Sequence, residues 1–176
     1  KNSIETLING KRVLITGVGG SIGSELLKQC LSYNPSELIC LDISEENIYK
    51  INQLIEKVQS KTIIKMVLAT INNEKEIEKV FIENRPQIVF HAAAYKHVPI
   101  QELHPWSAVK TNIGGTLNLV KFSDLYSVSK FVFVSTDKAV NPVNVMGATK
   151  RASEKLIQSY NLISKTTFIA VRFGNV

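Results

Sequence analysis

The sequence predicts an α/β fold in which a parallel sheet is covered by helices on both faces. Strand-type and helix-type patterns alternate along all 176 residues. The strand segments are short and almost continuously apolar, which is typical of strands buried on both faces. A glycine-rich turn also follows the first strand directly. Because ligands bind beyond the carboxyl ends of the strands in such sheets, we expect the functional site at that edge.

The individual elements follow from apolar spacing and from glycine and proline breaks. Strands are predicted at 12–16, 38–41, 62–68, 88–90, 130–134 and 167–171. Helices are predicted at 21–31, 45–59, 74–82, 105–126 and 145–163, the fourth of them interrupted by Gly114-Gly115. No repeat or low-complexity linker divides the chain, so residues 1–176 are expected to form one Rossmann-like, doubly wound domain.

Composition excludes several classes of function. Apolar residues make up 44% and charged residues 20%, which is ordinary for a soluble globular protein. The basic residues behind the net charge of +6 are scattered among acids, so we expect no nucleic-acid partner. Cys30 and Cys40 lie within apolar patterns and are expected to be reduced core thiols, which fits a cytosolic compartment. The three histidines lack the spacing of metal ligands, so no metal is expected.

The turn after the first strand predicts a dinucleotide site. Gly17 permits a tight turn, Gly20 lets the backbone approach a pyrophosphate, and Gly23 lets the helix pack close to the strand. Ser21 and Ile22 open that helix, whose amino end offers unpaired N–H groups and a partial positive charge to phosphates. The alternative is a tight turn with no ligand.

An acid at the end of the second strand indicates which dinucleotide is bound. Asp42 lies at the distance expected for bonding both hydroxyls of an adenosine ribose. A carboxylate repels a 2′-phosphate and no Arg or Lys follows it, so we predict NAD and regard NADP as the weaker candidate. A solvated loop acid is the alternative for Asp42. The small residues after the fourth strand would let the cofactor lie against the backbone: Ala92, Ala93 and Ala94.

Polar residues after the fifth strand predict the reacting end of the site. Thr136, Asp137 and Lys138 arrive at the carboxyl edge of the sheet, where the nicotinamide should lie. Met146 and Lys150 project from one face of the next helix. There, Lys150 can bond the nicotinamide ribose and lower the pKa of neighbouring acids. The alternatives are an exposed loop pair for Asp137 and Lys138 and an ordinary core residue for Met146.

These motifs resemble those of the extended short-chain dehydrogenase/reductase family, and within it the nucleoside-diphosphate-sugar 4,6-dehydratases. The similarity is closest to the membrane-anchored bacterial UDP-N-acetylglucosamine 4,6-dehydratases of glycan and capsule synthesis. It rests on four segments that together span the chain: 16–23, 91–99, 135–150 and 172–176.

The resemblance implies an internal redox reaction. A hydride leaves sugar C4 for NAD, water is eliminated across C5 and C6, and the hydride returns to C6. By similarity, Lys138 is the base at C5, Asp137 is the acid that protonates the departing C6 hydroxyl, and Thr136 bonds the C4 oxygen. An adjacent acid and amine suit elimination because each can hold a different protonation state near neutral pH.

The sequence departs from the wider family at two positions. Met146 stands where most relatives carry a tyrosine base, and a thioether has no acid–base function. The membrane-anchored branch shares this Met, and our hypothesis is that Asp137 serves at C4, directly or through a water, with Lys150 tuning the site. Thr70 replaces the acid that contacts the adenine amine, and it can still accept a hydrogen bond.

Three further residues are weaker candidates. Lys96 is expected to face the substrate or its phosphates, with an ordinary loop as the alternative. Asn175 is assigned to the substrate nucleotide by family similarity alone. Asn112 is expected to be a structural bridge between strands rather than a catalytic residue.

Two other functions remain open at this level: a nucleotide-sugar 4-epimerase and a non-catalytic dinucleotide-binding sensor. We also expect the chain to be a soluble piece of a longer protein, lacking a C-terminal substrate-binding portion and any N-terminal membrane region. By resemblance, the full-length protein would be a homo-oligomer anchored at the cytoplasmic side of the bacterial inner membrane and would bind a UDP-sugar.

Overall fold

A computed structural model describes residues 2–56, 58 and 60–174 of the chain. Its sheet has six parallel strands in the order β3-β2-β1-β4-β5-β6. The strands are β1 Arg12–Thr16, β2 Glu37–Asp42, β3 Ile63–Leu68, β4 Ile88–His91, β5 Lys130–Thr136 and β6 Thr167–Phe173. The chain starts in the middle of the sheet, runs to one edge and then crosses to the other, which confirms the doubly wound prediction.

Eight α-helices lie within the described part of the chain. They are α1 Asn2–Ile8, α2 Ser21–Leu31, α3 Glu45–Ile55, α4 Glu74–Asn84, α5 Val98–Leu103, α6 Pro105–Ala108, α7 Thr116–Leu125 and α8 Val145–Ile163. Asp137–Ala139 forms a 3₁₀ turn after β5. None of these helices combines the length and the apolar character needed to cross a bilayer.

Two helix predictions need correction. The glycine pair does not interrupt the segment after β4, because Val109–Gly115 continues it as a π-helix between α6 and α7. Gly115 instead permits close packing, since a Cβ there would lie 2.5 Å from the Ile71 side chain. The helix predicted at 45–59 ends at Ile55, and residues 57 and 59 lie outside the described residues. Neither α1 nor α5 was predicted from the sequence pattern.

The core consists of two apolar layers, one on each face of the sheet. Leu14 and Val89 belong to the layer beneath α4, α7 and α8, whereas Val13 and Ile88 belong to the layer beneath α2 and α3. Successive strand residues point to opposite faces, so β1 and β4 are buried on both sides, as their continuous apolar runs predicted.

The two cysteines belong to one of these layers. Cys30 and Cys40 are buried free thiols in the layer beneath α2 and α3. Burial raises the pKa of each thiol to about 12, so both stay protonated at neutral pH. The prediction of reduced core cysteines is confirmed.

Candidate active site

A cavity of about 610 Å³ opens at the carboxyl ends of β1, β2 and β4. That volume falls within the range of small-molecule and cofactor sites. Every residue predicted to bind the cofactor lines it except Lys150: Gly17, Gly20, Ser21, Ile22, Gly23, Asp42, Thr70, Ala92, Ala93 and Ala94. We call this cavity the dinucleotide crevice.

The glycines in the turn are required for two separate physical reasons. Gly17 has a φ of 68°, and a Cβ there would lie 2.6 Å from the backbone of Ala93. A Cβ on Gly23 would lie 2.1 Å from the carbonyl oxygen of Gly17, so only glycine lets α2 pack so close to the turn. No side chain caps the first turn of α2 at Gly20, which leaves its N–H groups facing the crevice.

Asp42 is buried at the end of β2 and is anchored by three hydrogen bonds. Its carboxylate accepts from the backbone N–H of Gly19 at 2.9 Å and of Ser44 at 3.0 Å. The side-chain amide of Asn47 donates to it at 3.2 Å. A carboxylate offers about four acceptor positions, so one remains for a ligand hydroxyl. Asn47 also lines the crevice, and the sequence analysis missed it because its helical position carries no local signal.

Thr70 lines the crevice, and both its hydroxyl and its backbone N–H already form hydrogen bonds within the protein. Its hydroxyl oxygen accepts from the backbone N–H of Asn72 at 3.2 Å, and its own N–H donates to Glu76. Asn72 and Thr111 bond each other at 3.0 Å and line the same cavity. Sequence reasoning missed this pair because 39 residues separate its members.

A chain of buried hydrogen bonds joins the ends of β1 and β4 to α7. His91 is fully buried, with Nδ1 2.8 Å from the Thr16 hydroxyl and Nε2 2.9 Å from the Thr116 hydroxyl. Thr116 donates to the carbonyl of Asn112, so it accepts from His91, which assigns the imidazole proton to Nε2. Burial and the nearby positive charge of Lys150 hold the pKa of His91 well below its usual range.

Asn112 carries this network to the other half of the site. Its side chain bonds both backbone groups of Tyr95, at 2.9 and 3.1 Å, and donates to the Thr149 hydroxyl at 3.0 Å. Asn112 is therefore a structural bridge, as predicted. It connects the loop after β4 to α8 rather than one strand to another.

A second cavity, of about 320 Å³, adjoins the dinucleotide crevice. Four of the five predicted catalytic residues line it: Thr136, Lys138, Met146 and Lys150. The two cavities share the residues Ile22, Ala92, Ala94, Lys96 and His97. We call the second cavity the corner pocket.

Asp137 is exposed and is not among the residues that line the corner pocket. Its carboxylate accepts from the Thr136 hydroxyl at 2.9 Å and lies 3.7 Å from the Lys138 ammonium. The hydrogen bond from Thr136 is the main cause that lowers the pKa of Asp137, and the charge of Lys138 acts in the same direction. Asp137 is therefore ionised near neutral pH.

The start of α8 is packed tightly against the turn that carries Lys138. A Cβ on Gly147 would lie 2.5 Å from the carbonyl oxygen of Lys138. Met146 is buried beside it, with 4% of its surface exposed. The side-chain oxygen of Asn144 accepts from the N–H of Gly147 and caps the helix. These contacts hold Met146 and Lys138 at the same cavity.

Lys150 is buried one turn further along α8. Its ammonium donates to the carbonyl of Val134 at 2.9 Å and lies 4.5 Å from the ring centre of Phe133. Burial lowers the pKa of Lys150 to about 7, although the charge of Glu154 acts in the opposite direction. The amine can therefore change protonation state near neutral pH.

The structure describes one of the two residues predicted to contact the substrate. Lys96 is exposed and lines both cavities, at the point where the crevice meets the corner pocket. Asn175 lies outside the described residues.

Comparison with known proteins gives a consistent family. The family described as "Polysaccharide biosynthesis protein" matches residues 13–176. The capsular polysaccharide biosynthesis protein CapD of Staphylococcus aureus is 48% identical, over 96% of this chain and 28% of CapD. A UDP-N-acetylglucosamine 4,6-dehydratase (inverting) of Campylobacter jejuni is 36% identical, over 97% of this chain and 50% of that enzyme. The chain thus spans half the length of these curated relatives or less.

Solved structures agree with the fold. The X-ray structure of Pen from Bacillus thuringiensis has a TM-score of 0.88 and 37% identity, over 96% of this chain and 51% of Pen. The UDP-glucose 4-epimerase of Thermus thermophilus, solved as a complex with NAD, has a TM-score of 0.78 and 25% identity. That match covers 92% of this chain and 54% of the epimerase.

Proposed function

This chain belongs to the polysaccharide biosynthesis protein family, and from that premise we propose that it forms the NAD-binding domain of a nucleotide-sugar 4,6-dehydratase. The substrate is UDP-N-acetylglucosamine and the product is UDP-2-acetamido-2,6-dideoxy-4-keto-hexose, made for glycan, capsule or protein glycosylation. One observation carries the proposal. The corner pocket, which is lined by Thr136, Lys138 and Lys150, adjoins a crevice with the features of a dinucleotide site.

The residues of the crevice fit NAD. The glycine turn leaves room that side chains would fill, and the uncapped start of α2 suits a pyrophosphate. The remaining acceptor position of Asp42 suits a ribose hydroxyl, and its negative charge disfavours the 2′-phosphate of NADP. A protein of similar structure was solved with NAD, which supports NAD binding by this fold. When bound, NAD supplies a hydride acceptor, and later a hydride donor, beside the sugar ring.

Asp137 and Lys138 divide the proton transfers. Because Asp137 is ionised before substrate binds, it starts as a proton acceptor and takes the C4 hydroxyl proton, directly or through a water. The acid so formed then protonates the departing C6 hydroxyl. Lys138 removes the C5 proton. Thr136, which donates to Asp137, holds the carboxylate and bonds the C4 oxygen.

Met146 gives the corner pocket an apolar wall at the position where a tyrosine base would stand. It is buried and has no proton to exchange. This explains why the acid–base work falls to the residues after β5. Lys150 lies one turn along α8 and adjusts the electrostatics of the pocket.

The complete protein, incubated with UDP-N-acetylglucosamine and followed by NMR of the product, tests the proposal. A 6-deoxy-4-keto sugar supports the dehydratase. Inversion at C4 without loss of water would make the protein a 4-epimerase. An unchanged substrate, with NAD still bound, would favour a dinucleotide-binding sensor.

We also propose that the complete protein is a homo-oligomer anchored at the cytoplasmic side of the bacterial inner membrane, with the remaining substrate contacts outside this domain. The anchor is supported by the resemblance to membrane-anchored dehydratases, and the location of the remaining substrate contacts by the length of the relatives, of which this chain covers half or less. Membrane fractionation, and light scattering of the purified protein in detergent, measure the two properties.

A further inference from the structure

A buried carboxylate stands behind the corner pocket. Glu154, on α8, has 1% of its surface exposed. Its Oε1 accepts from the Ser135 hydroxyl at 2.7 Å and from Nε of Arg172 at 2.8 Å. Its Oε2 accepts from Arg172 at 2.7 Å and from Arg151 at 3.2 Å. Three elements therefore meet at one side chain: α8, the end of β5 and the end of β6.

Glu154 is one helical turn after Lys150, so the two side chains leave the same face of α8. Both are buried, and Lys150 lines the corner pocket while Glu154 does not. The negative charge of Glu154 raises the pKa of Lys150, against the larger opposite effect of burial.

The two side chains also hold consecutive residues of β5. Lys150 donates to the carbonyl of Val134, and Glu154 accepts from the hydroxyl of Ser135. The next residue is Thr136, which donates to Asp137. The position of the Thr136–Lys138 segment therefore depends on the contact between α8 and the end of β5.

The charges around Lys150 can be assigned element by element. On β4, His91 is buried and neutral, and on β5 the neighbours are a carbonyl and an aromatic ring. Across the pocket, the turn after β5 carries Lys138 and its partner Asp137, and the loop after β4 carries Lys96 and His97. On β6, Arg172 is paired with Glu154, as is Arg151 of α8.

The ionisation of Glu154 is secure. Burial by itself would raise the pKa of this carboxyl, but the hydrogen bonds from Arg172, Ser135 and Arg151 outweigh it and lower the pKa to about 2. Glu154 therefore carries a full negative charge at every pH near neutrality.

We propose that Glu154 is a positioning residue that favours the ammonium form of Lys150 and fixes the end of β5 beside the corner pocket. The inference about catalysis rests on the proposed function, but the effect on Lys150 does not. The structure thus gives the Glu154–Arg172 pair a second role besides joining β6 to α8.

The protonation of Lys150 can be measured without any activity. The complete protein is labelled with trace isotopic acetic anhydride across pH 5–10, and peptide mass spectrometry gives the reactivity of Lys150 at each pH. In Glu154→Gln we expect the titration of Lys150 to move down by about one pH unit, because the opposing carboxylate is gone. Glu83→Gln, on the exposed surface of α4, is the matched control and should leave the titration in place. An unchanged titration in a folded Glu154→Gln protein overturns the proposal.

Arg172→Gln gives a test of opposite sign. It removes a cation and leaves Glu154 in place, so the titration of Lys150 should move up. This variant still tests the electrostatic role of Glu154 if Glu154→Gln fails to fold. A Lys150 titration in Arg172→Gln that moves to lower pH, or does not move, would refute that role. Glu154→Asp keeps the charge and should restore the titration to within a few tenths of a pH unit of the original protein.

The catalytic part of the inference has its own measurement. If catalysis requires the protonated amine of Lys150, kcat/KM of the complete protein falls at alkaline pH. In Glu154→Gln this fall should occur at a lower pH, displaced by the same amount as the labelling titration. If the labelling titration of Lys150 shifts but the kinetic pH profile does not, Glu154 controls the protonation of Lys150, and that protonation is not required for catalysis. If neither the labelling titration nor the kinetic pH profile shifts in Glu154→Gln, the whole inference is contradicted.

Discussion

Nδ1 of His91 lies 2.8 Å from the hydroxyl oxygen of Thr16, so the ends of β1 and β4 are joined by a buried polar contact beneath the dinucleotide crevice. The same hydroxyl accepts from the backbone N–H of Ala93 at 3.4 Å. Because Ala93 lines the crevice, a neutral imidazole in one tautomer helps to set the shape of the cofactor site.

The protonation of His91 should make stability depend on pH. Burial and Lys150 depress the pKa of the folded-state imidazole well below its usual value near 6.5, so the folded chain binds fewer protons there than the unfolded chain. The stability that His91 contributes is therefore complete above about pH 6.5 and is lost as the pH falls, by up to about 1.4 kcal/mol per pH unit. Urea unfolding of this chain at pH 5–8 measures it.

His91→Asn tests whether His91 causes this dependence. The variant should be less stable at pH 7.5 by about 2 kcal/mol, because a buried partner is lost, and its free energy of unfolding should fall less steeply towards pH 5. His104→Asn changes an exposed imidazole and should keep the original slope. Parallel curves for the wild type and His91→Asn would contradict the assignment.

Alanine substitution should have opposite effects on stability at two glycines, one in the first turn of α2 and one in the π-helix. Gly23→Ala places a methyl group 2.1 Å from the Gly17 carbonyl oxygen and should destabilise the chain by about 3 kcal/mol and weaken NAD binding more than tenfold. At Gly114 a Cβ would meet nothing within 4 Å, so Gly114→Ala should stabilise the helical segment by about 0.5–1 kcal/mol. Thermal unfolding and calorimetric titration with NAD distinguish the two. Equal effects at both sites would exclude steric packing as the reason for Gly23.

Asp42 should determine the preference between NAD and NADP. Asp42→Asn keeps the size of the side chain and removes the charge that repels a 2′-phosphate. We expect NAD affinity to fall by about tenfold, which corresponds to a loss of about 1.4 kcal/mol of binding free energy. The ratio of NAD affinity to NADP affinity should fall by more than tenfold. Calorimetry with both cofactors measures the ratio. A ratio that stays the same would assign the selectivity to other residues.

Lys138 should be required for loss of the C5 proton. In the complete protein, Lys138→Met should lower the rate of dehydration by about 10²–10⁴-fold, the usual range for losing an acid–base group. Exchange of the C5 proton for deuterium in D₂O, followed by NMR, should slow with it. Lys155→Met, at an exposed position of α8, is the matched control. Normal exchange in Lys138→Met would transfer the role of base to another group.

Met146→Tyr tests whether the corner pocket works without a tyrosine. If Asp137 serves at C4, a phenol at position 146 adds no needed function, and a larger ring at a buried position should leave turnover unchanged or lower it. Turnover of the complete protein measures the effect. A large rise in rate would mean that the site is arranged around a base it lacks.

The sequence by itself determined the order of the six strands and the segments that line the two cavities, whereas α1 and α5 were not predicted. Apolar strand runs such as 12–16 can be buried only between two layers of helices, and the glycine spacing at Gly17 and Gly23 follows from local backbone geometry. All the predicted cofactor-binding residues except Lys150 line the dinucleotide crevice for the same reason, since parallel strands end at one edge of the sheet.

The tertiary structure alone decided which distant side chains act together. Glu154 meets Ser135 and Arg172, and Asn112 meets Tyr95, across separations that no local spacing encodes. It also decided that Gly115 serves packing within a π-helix rather than a helix break. Periodicity depends on neighbours along the chain, whereas burial, tautomer and protonation depend on what packs against a side chain from other elements.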